Sequence, residues 1–180
     1  GGTRDDAAGE ALDKVGRILG LSYPAGPEIE RRASKTHHLR SKIQFHSPLI
    51  NFEDFDFSFS GLKTEISRFI SKKHLTKRLI NETCYALQDA IFNVLIKKTI
   101  RASKLYNAGC ILLGGGVSAN QALREQFDLT TKSRLPTAKV FAPSKIYATD
   151  NAAMIGAYAL LNYKPLPWHK ITAQPDLYFD

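Results

Sequence analysis

The chain is poor in cysteine and has no long apolar run, and each shortage removes a class of protein. Only Cys84 and Cys110 occur in 180 residues, which excludes a disulfide scaffold and any Cys-rich zinc module. Cys84 falls in a helical pattern and Cys110 opens an apolar strand-like run, so both read as buried, reduced thiols of a cytoplasmic protein. No apolar stretch approaches the roughly 20 residues that a membrane span needs. The start, Gly1-Gly-Thr-Arg-Asp-Asp6, lacks the basic-then-apolar order of a secretory leader. It also lacks Met, which points to a fragment of something longer. No His-Glu-x-x-His helix is present, and a metalloprotease reading ranks last for that reason.

What the chain does hold is basic charge. It carries 25 Lys and Arg against 17 Asp and Glu, a formal net charge of +8, with a pI near 9.5. A polyanionic partner, nucleic acid first, is the natural expectation, although charge alone discriminates weakly. The composition is 43% hydrophobic and 23% charged, an ordinary globular balance.

Thr3 and Asp6 form a capping-box pattern ahead of Ala8, Leu12, Val15 and Leu19 at helical spacing, with Gly20 as the stop. The segment 21–27 holds two prolines and a glycine and reads as a shaped loop before a short helix over Glu28–Ala33. Residues 34–47 are polar and basic. His37, His38 and His46 occur there without an acidic or Cys partner at ligand spacing, so a solvated hairpin or loop is expected. Phe55, Phe57 and Phe59 alternate with acids and hydroxyls, the pattern of a strand with one aromatic face.

Two helices follow. The first carries Leu62, Ile66, Phe69 and Ile70. The second, over residues 81–104, carries Leu87, Ile91, Val94 and Leu95 on one face and Lys97, Lys98, Arg101 and Lys104 on the other. Cys110-Ile-Leu-Leu113 then reads as a buried strand, Gly114-Gly-Gly116 as a turn, and Ser118 as the N-cap of a helix from Ala119 to Phe127. Strand, glycine turn and helix N-terminus together make an anion cradle, because free N–H groups point outward with no Cβ to block approach. The spacing is neither Gly-x-Gly-x-x-Gly nor the P-loop. Lys139-Val-Phe-Ala142 is a further short strand, and Thr149-Asp-Asn-Ala-Ala-Met154 opens an apolar helix to Leu161. This alternation predicts an α/β fold with ligands at the carboxyl ends of the strands.

Five blocks resemble, in order, the TsaD family of tRNA threonylcarbamoyladenosine transferases, formerly called glycoproteases. They are Asp5-Asp-Ala-Ala-Gly-Glu-Ala-Leu-Asp-Lys14, Tyr23-Pro-Ala-Gly-Pro27, Phe57-Ser-Phe-Ser-Gly-Leu-Lys-Thr64, Gly114-Gly-Gly-Val-Ser-Ala-Asn120 and Thr149-Asp-Asn-Ala-Ala-Met154. The wording is that of the bacterial or organellar branch, which implies a cytoplasmic or mitochondrial protein. The resemblance implies the two-lobed actin, heat-shock-chaperone and sugar-kinase fold (ASKHA). It covers only about the C-terminal half of a family member, so residues 1–163 would be an α/β lobe and 164–180 a proline-containing tail packed on it.

The implied reaction transfers the threonylcarbamoyl group of threonylcarbamoyl-AMP to the exocyclic amine of the adenosine beside a tRNA anticodon. Iron or zinc would be held by two histidines of a His-x3-His helix and one aspartate. By motif that aspartate is Asp150, and the adenylate contacts are Asp13, Gly26, Glu30 and Asn120. Each also has a bland reading: a solvated helix acid, a turn glycine, a helix cap. No residue is an obvious nucleophile, and Lys63 is a candidate phosphate-steering group. TsaB-like and TsaE-like subunits are implied as partners, with no membrane. The sequence departs from the family in Ala25, where a glycine is usual, in Ala148, where a cysteine is usual, and in having no His-x3-His. The expected state is therefore a fragment inactive by itself. The alternative is a nucleotide-binding or subunit-docking lobe without catalysis.

Overall fold

In the computed structural model, residues 1–36 and 42–173 are described, so His37, His38 and part of the expected basic loop lie outside them. The chain divides into two compact units, Gly1–Thr149 and Asp150–Asp180.

Four helices build the core of the first unit. Helix α1 (Ala8–Ile18) buries Ala11, Leu12 and Val15. Its N-cap is Ala7, whose N–H is accepted by the Glu10 carboxylate at 3.4 Å. The expected Thr3 cap is replaced because the Thr3 hydroxyl donates to the Asp6 carbonyl instead. Gly20, at φ 72°, ends the helix as predicted. Helix α2 (Ala25–Ala33) starts earlier than the prolines suggested. Pro24 is the cap residue and Pro27 sits in the first turn, where a missing N–H costs nothing. The expected aromatic strand over 52–60 does not form. Only an isolated bridge, Thr3 to Phe57, is present there among the described residues, although Phe59 is buried as expected.

Helix α3 (Ser60–Ser71) buries Leu62, Ile66 and Ile70. Helix α4 (Lys77–Leu105) spans 29 residues and begins at Thr76, whose side chain accepts from Leu79 N. Buried Leu87, Ile91, Phe92 and Val94 make it the central post of the core. Lys98 departs from the expected solvated face. It is 1% exposed, and its ammonium donates to Asp54 Oδ1 at 3.0 Å and to the Asp56 carbonyl at 2.5 Å. Arg101 donates to the carbonyls of Phe52, Glu53 and Asp54, and Lys97 to Asn51 at 3.1 Å. These cations clamp the 51–56 segment onto α4. Their bonds to it, together with Arg4 on Asp54 and Asp56, hold as an irregular ribbon what alternation alone would read as a strand.

Strand β1 (Cys110–Leu112) pairs in parallel with β2 (Lys139–Phe141), Ile111 opposite Val140, across helix α5 (Gln121–Arg134). A parallel pair joined by a helix is the α/β pattern expected. Of β1 only Ile111 is buried, and Cys110 is exposed, contrary to expectation, while Cys84 is buried. Alternation along the three-residue strand puts Cys110 and Leu112 on the face opposite the buried Ile111. In the second unit, α6 (Ala152–Leu161) is capped by Asn151, which accepts from Met154 N at 3.1 Å.

Candidate functional site

The helix termini converge through side chains that accept their free N–H groups. Asp13, on α1, accepts from Ala25 N, the first residue of α2, at 2.7 Å. That contact needs the two helices close together. A Cβ on Gly16 would lie 2.2 Å from the Cβ of Ala25, so glycine is required one turn below Asp13. Glu30, on α2, accepts from Gln121 N at the start of α5 at 2.7 Å. Asn120 is the N-cap of α5. Its Oδ1 accepts from Leu123 N at 3.2 Å, and its Nδ2 donates to Oε1 of the Gln88 side chain on α4 at 2.7 Å.

Thus Asp13, Glu30 and Asn120 form one relay from α1 through α2 to α5. Asp13 and Glu30 each spend one oxygen on it, and Asp13 Oδ2 and Glu30 Oε2 have no partner among the described residues. Gly26 lies in the first turn of α2, and a Cβ there would meet nothing within 4 Å. The cap residue expected at Ser118 proves to be Asn120, because a 3-10 turn, Gly116–Ala119, intervenes between the glycines and α5.

The glycine turn is open. Gly115 has φ 79°, the left-handed region that glycine enters freely, and a Cβ on Gly114 or Gly115 would meet nothing within 4 Å. A Cβ on Gly116 would lie 3.7 Å from the Thr149 methyl, an ordinary contact. Beneath the turn, Ser118 Oγ and Arg124 Nη2 are buried without a partner among the described residues, while Arg124 Nε donates to the Ser118 carbonyl. Buried polar groups left open in this way call for an explanation, and a ligand is one.

A cleft of about 340 Å³ opens beside Glu30 and Gln121, with Gln88, Asp89 and Glu125 on its walls and Phe92 at its floor. This is within the size range of small-molecule sites, about 300–1,000 Å³. Burial pushes the Asp89 carboxyl above its ordinary value, only partly offset by the Asn93 amide.

Asp150 opens the second unit, one residue ahead of the α6 cap. It is a single carboxylate. Among the described residues no group of three or more His, Cys, Asp or Glu side chains could hold a metal. The described residues alone therefore do not supply the donor set that iron or zinc needs. Lys63 lies exposed on α3.

Sequence reading missed three supports. Asp5 receives Phe59 N at 2.7 Å, Ser60 N at 3.2 Å, Ser60 Oγ at 2.7 Å and Ser58 Oγ, and so caps α3 from 54 residues away. Burial pushes its carboxyl up, but these four donors outweigh that and bring it down to about 2. The other two are Gln88, which orients Asn120, and Gly16. The first block holds Asp5 but ends at Lys14, so Gly16 and Gln88 had no signal in the motifs.

Comparison with known proteins agrees with the motifs. The family described as tRNA N6-adenosine threonylcarbamoyltransferase (TsaD) matches residues 1–157. A protein of that name from Endomicrobium trichonymphae is 41% identical over 179 residues, which is 98% of this chain and 51% of the relative. Those from Chlorobium phaeobacteroides and Enterococcus faecalis are 40% and 39% identical over 171 and 186 residues, covering 89% and 99% of this chain. The chain spans about half the length of the relatives it matches. With a family match over most of its length and five ordered motifs at the helix termini and glycine turn, the chain belongs to the TsaD family.

Proposed function

We propose that this chain is the adenylate-binding part of a tRNA N6-adenosine threonylcarbamoyltransferase, the C-terminal portion of a two-lobed ASKHA fold. The observation that carries the reading is the convergence of Asp13, Glu30 and Asn120 beside an open glycine turn. The free oxygens of Asp13 and Glu30 accept ribose hydroxyls. The amides of Gly114 and Gly115 approach the phosphate without steric hindrance. Asn120, fixed by Gln88, offers its amide to the adenylate, and Gly26 leaves room for the ligand.

The substrates are threonylcarbamoyl-AMP and tRNA. In the reaction, the adenosine exocyclic nitrogen attacks the carbamoyl carbon of the mixed anhydride. The carbon–oxygen bond to phosphate breaks, AMP leaves, and the amine releases a proton. The role of this chain is to hold the adenylate so that its carbonyl is presented to the amine, an orientation effect. No paired nucleophile and base supports a covalent intermediate among the described residues. The remaining metal ligands would come from the His-x3-His half of the relatives, with Asp150 contributed by this chain, and TsaB-like and TsaE-like subunits would join the assembly.

The test combines the chain with tRNA, threonylcarbamoyl-AMP and the separately produced N-terminal half of the Endomicrobium relative, followed by nucleoside mass spectrometry. Modified adenosine is expected only when both polypeptides are present. Transfer by the 180 residues alone would overturn the need for the second half. The second reading, a nucleotide-binding or docking lobe without catalysis, draws on the single carboxylate at Asp150. It predicts AMP binding with no transfer in the combined reaction.

A further inference from the structure

The basic row of α4 and the cations of residues 63–78 have different fates, and the difference locates an interaction surface. Along the C-terminal half of α4, Lys97, Lys98 and Arg101 are spent on the 51–56 segment. At the corner where α3 meets α4 the cations are not spent. Residues 60–78 hold six Lys and Arg against one acid, Glu65, and so carry five of the chain's eight net positive charges. Glu65 forms no ion pair with them among the described residues; both its oxygens accept from the backbone N–H of His46 at 3.3 Å. Among the described residues only Arg78 of this corner has an acidic partner, Glu82 at 2.7 Å. Arg68, Lys72 and Lys77 are exposed and have no ion-pair partner among the described residues. Lys73 is held over the Phe69 ring, 3.6 Å from its centroid, so one cation of the corner has a fixed position.

A second observation is independent of the count. Lys77 and Arg78 occupy the first turn of a 29-residue helix that has no acid there. Cations at that end oppose the helix dipole, which favours negative charge. Arg78 is offset by its ion pair with Glu82 one turn on, but folding alone gives no such reason for Lys77 at a positive helix end. Placements that break a local rule without a folding gain concentrate at functional surfaces. A polyanion laid across the corner removes the conflict.

We infer that the α3–α4 corner, and not the α4 row, is the surface of this chain that contacts the phosphate backbone of a structured RNA. The inference rests on the transferase reading for its choice of RNA over other polyanions. It specifies that the contact reads charge rather than base sequence, since the cations are long, exposed and unpaired. Lys73 and the Phe69 ring beneath it supply the rigid point of the patch, and Arg68, Lys72 and Lys77 the adaptable ones.

The test measures binding of a fluorescently labelled tRNA transcript by anisotropy at several salt concentrations. It compares the chain, the triple variant Arg68→Ala/Lys72→Ala/Lys77→Ala, and the control Lys97→Ala/Lys104→Ala. The triple variant is expected to bind about tenfold or more weakly near 0.1 M salt, with the slope of log K against log salt reduced by roughly two to three. The control should stay within about twofold of the parent. AMP binding, measured alongside by calorimetry, should be equal in all three. Thermal melting of Lys77→Ala alone should be no lower than that of the parent, which separates lost contact from lost fold.

If the triple variant binds tRNA like the parent, or the control loses as much, the corner assignment is overturned while the transferase reading stands. If the parent binds AMP but no tRNA, the corner assignment is also overturned. If it binds neither, the transferase reading falls as well. Preference for anionic phospholipid vesicles over tRNA would replace RNA with a membrane surface and likewise overturn the inference.

Discussion

Replacing Asp5 by Asn should weaken the first unit by about 1 kcal/mol and flatten its response to acid. Asp5 accepts four hydrogen bonds from the start of α3, and an asparagine of the same shape keeps one acceptor oxygen but turns the other into a donor facing hydroxyl donors. The carboxyl is brought to about 2 from an ordinary 3.8. Converted at about 1.36 kcal/mol per unit, this would give roughly 2.4 kcal/mol. Asp5 is exposed, so solvent screening reduces that to about 1 kcal/mol, which matches the usual loss on removing a helix cap.

The sign follows from a folded value below the unfolded one. The stabilisation is fully present above about pH 4 and is lost as the pH falls toward 2. Urea unfolding followed by circular dichroism at pH 7 should show the Asp5→Asn midpoint displaced to lower urea with an unchanged slope. Repeated from pH 5 to pH 2, the gap between parent and variant should close. An unchanged midpoint at pH 7, or a gap that persists at pH 2, would refute the capping role.

Three further outcomes follow from the same contacts. Gly16→Ala places a methyl 2.2 Å from the Ala25 Cβ and must part α1 from α2. A loss of about 1–3 kcal/mol and weaker AMP binding are expected, and an unchanged melting temperature would contradict the close packing. Lys98→Met leaves the Asp54 carboxylate and the Asp56 carbonyl without their buried donor. Chemical unfolding should show a loss of about 1–3 kcal/mol, whereas a neutral result would mean that the clamp is dispensable. Burial pushes the Cys84 thiol up to about 12, and Cys110 is exposed. A thiol reagent at pH 8 should therefore modify Cys110 alone in the folded chain and both cysteines in denaturant, and rapid modification of Cys84 in the native state would contradict its burial.

The helices were legible because their apolar faces repeat locally. Leu62, Ile66 and Ile70 mark α3, and Leu87, Ile91 and Val94 mark α4, at spacings that need no knowledge of partners. The 52–60 segment was misread for the opposite reason. Its alternation is real, but its conformation is decided by Arg4, Lys98 and Arg101, which lie 40 to 50 residues away. Charge on Lys98 is visible in the sequence, and its burial is not, because the acid and carbonyl that receive it come from another segment.

The site shows the same division. Composition marks the glycine turn, and the family wording marks Asp13, Gly26, Glu30 and Asn120. The relay that joins three of them depends on contacts between α1, α2 and α5, as long as 91 residues apart. Asn120 took the cap expected of Ser118 because the three glycines are followed by one tight turn that local propensity did not reveal.

The central claim, that this chain holds an adenylate at the α2 and α5 termini, is tested most directly by titrating AMP into the chain in a calorimeter. Parallel titrations use Asn120→Ala and Glu30→Gln, each checked for retained helicity. Saturable heat with one AMP per chain is expected for the parent, and at least tenfold weaker binding for Asn120→Ala, about 1.4 kcal/mol. Heats no different from dilution in the parent, or equal affinity in both variants, would contradict it.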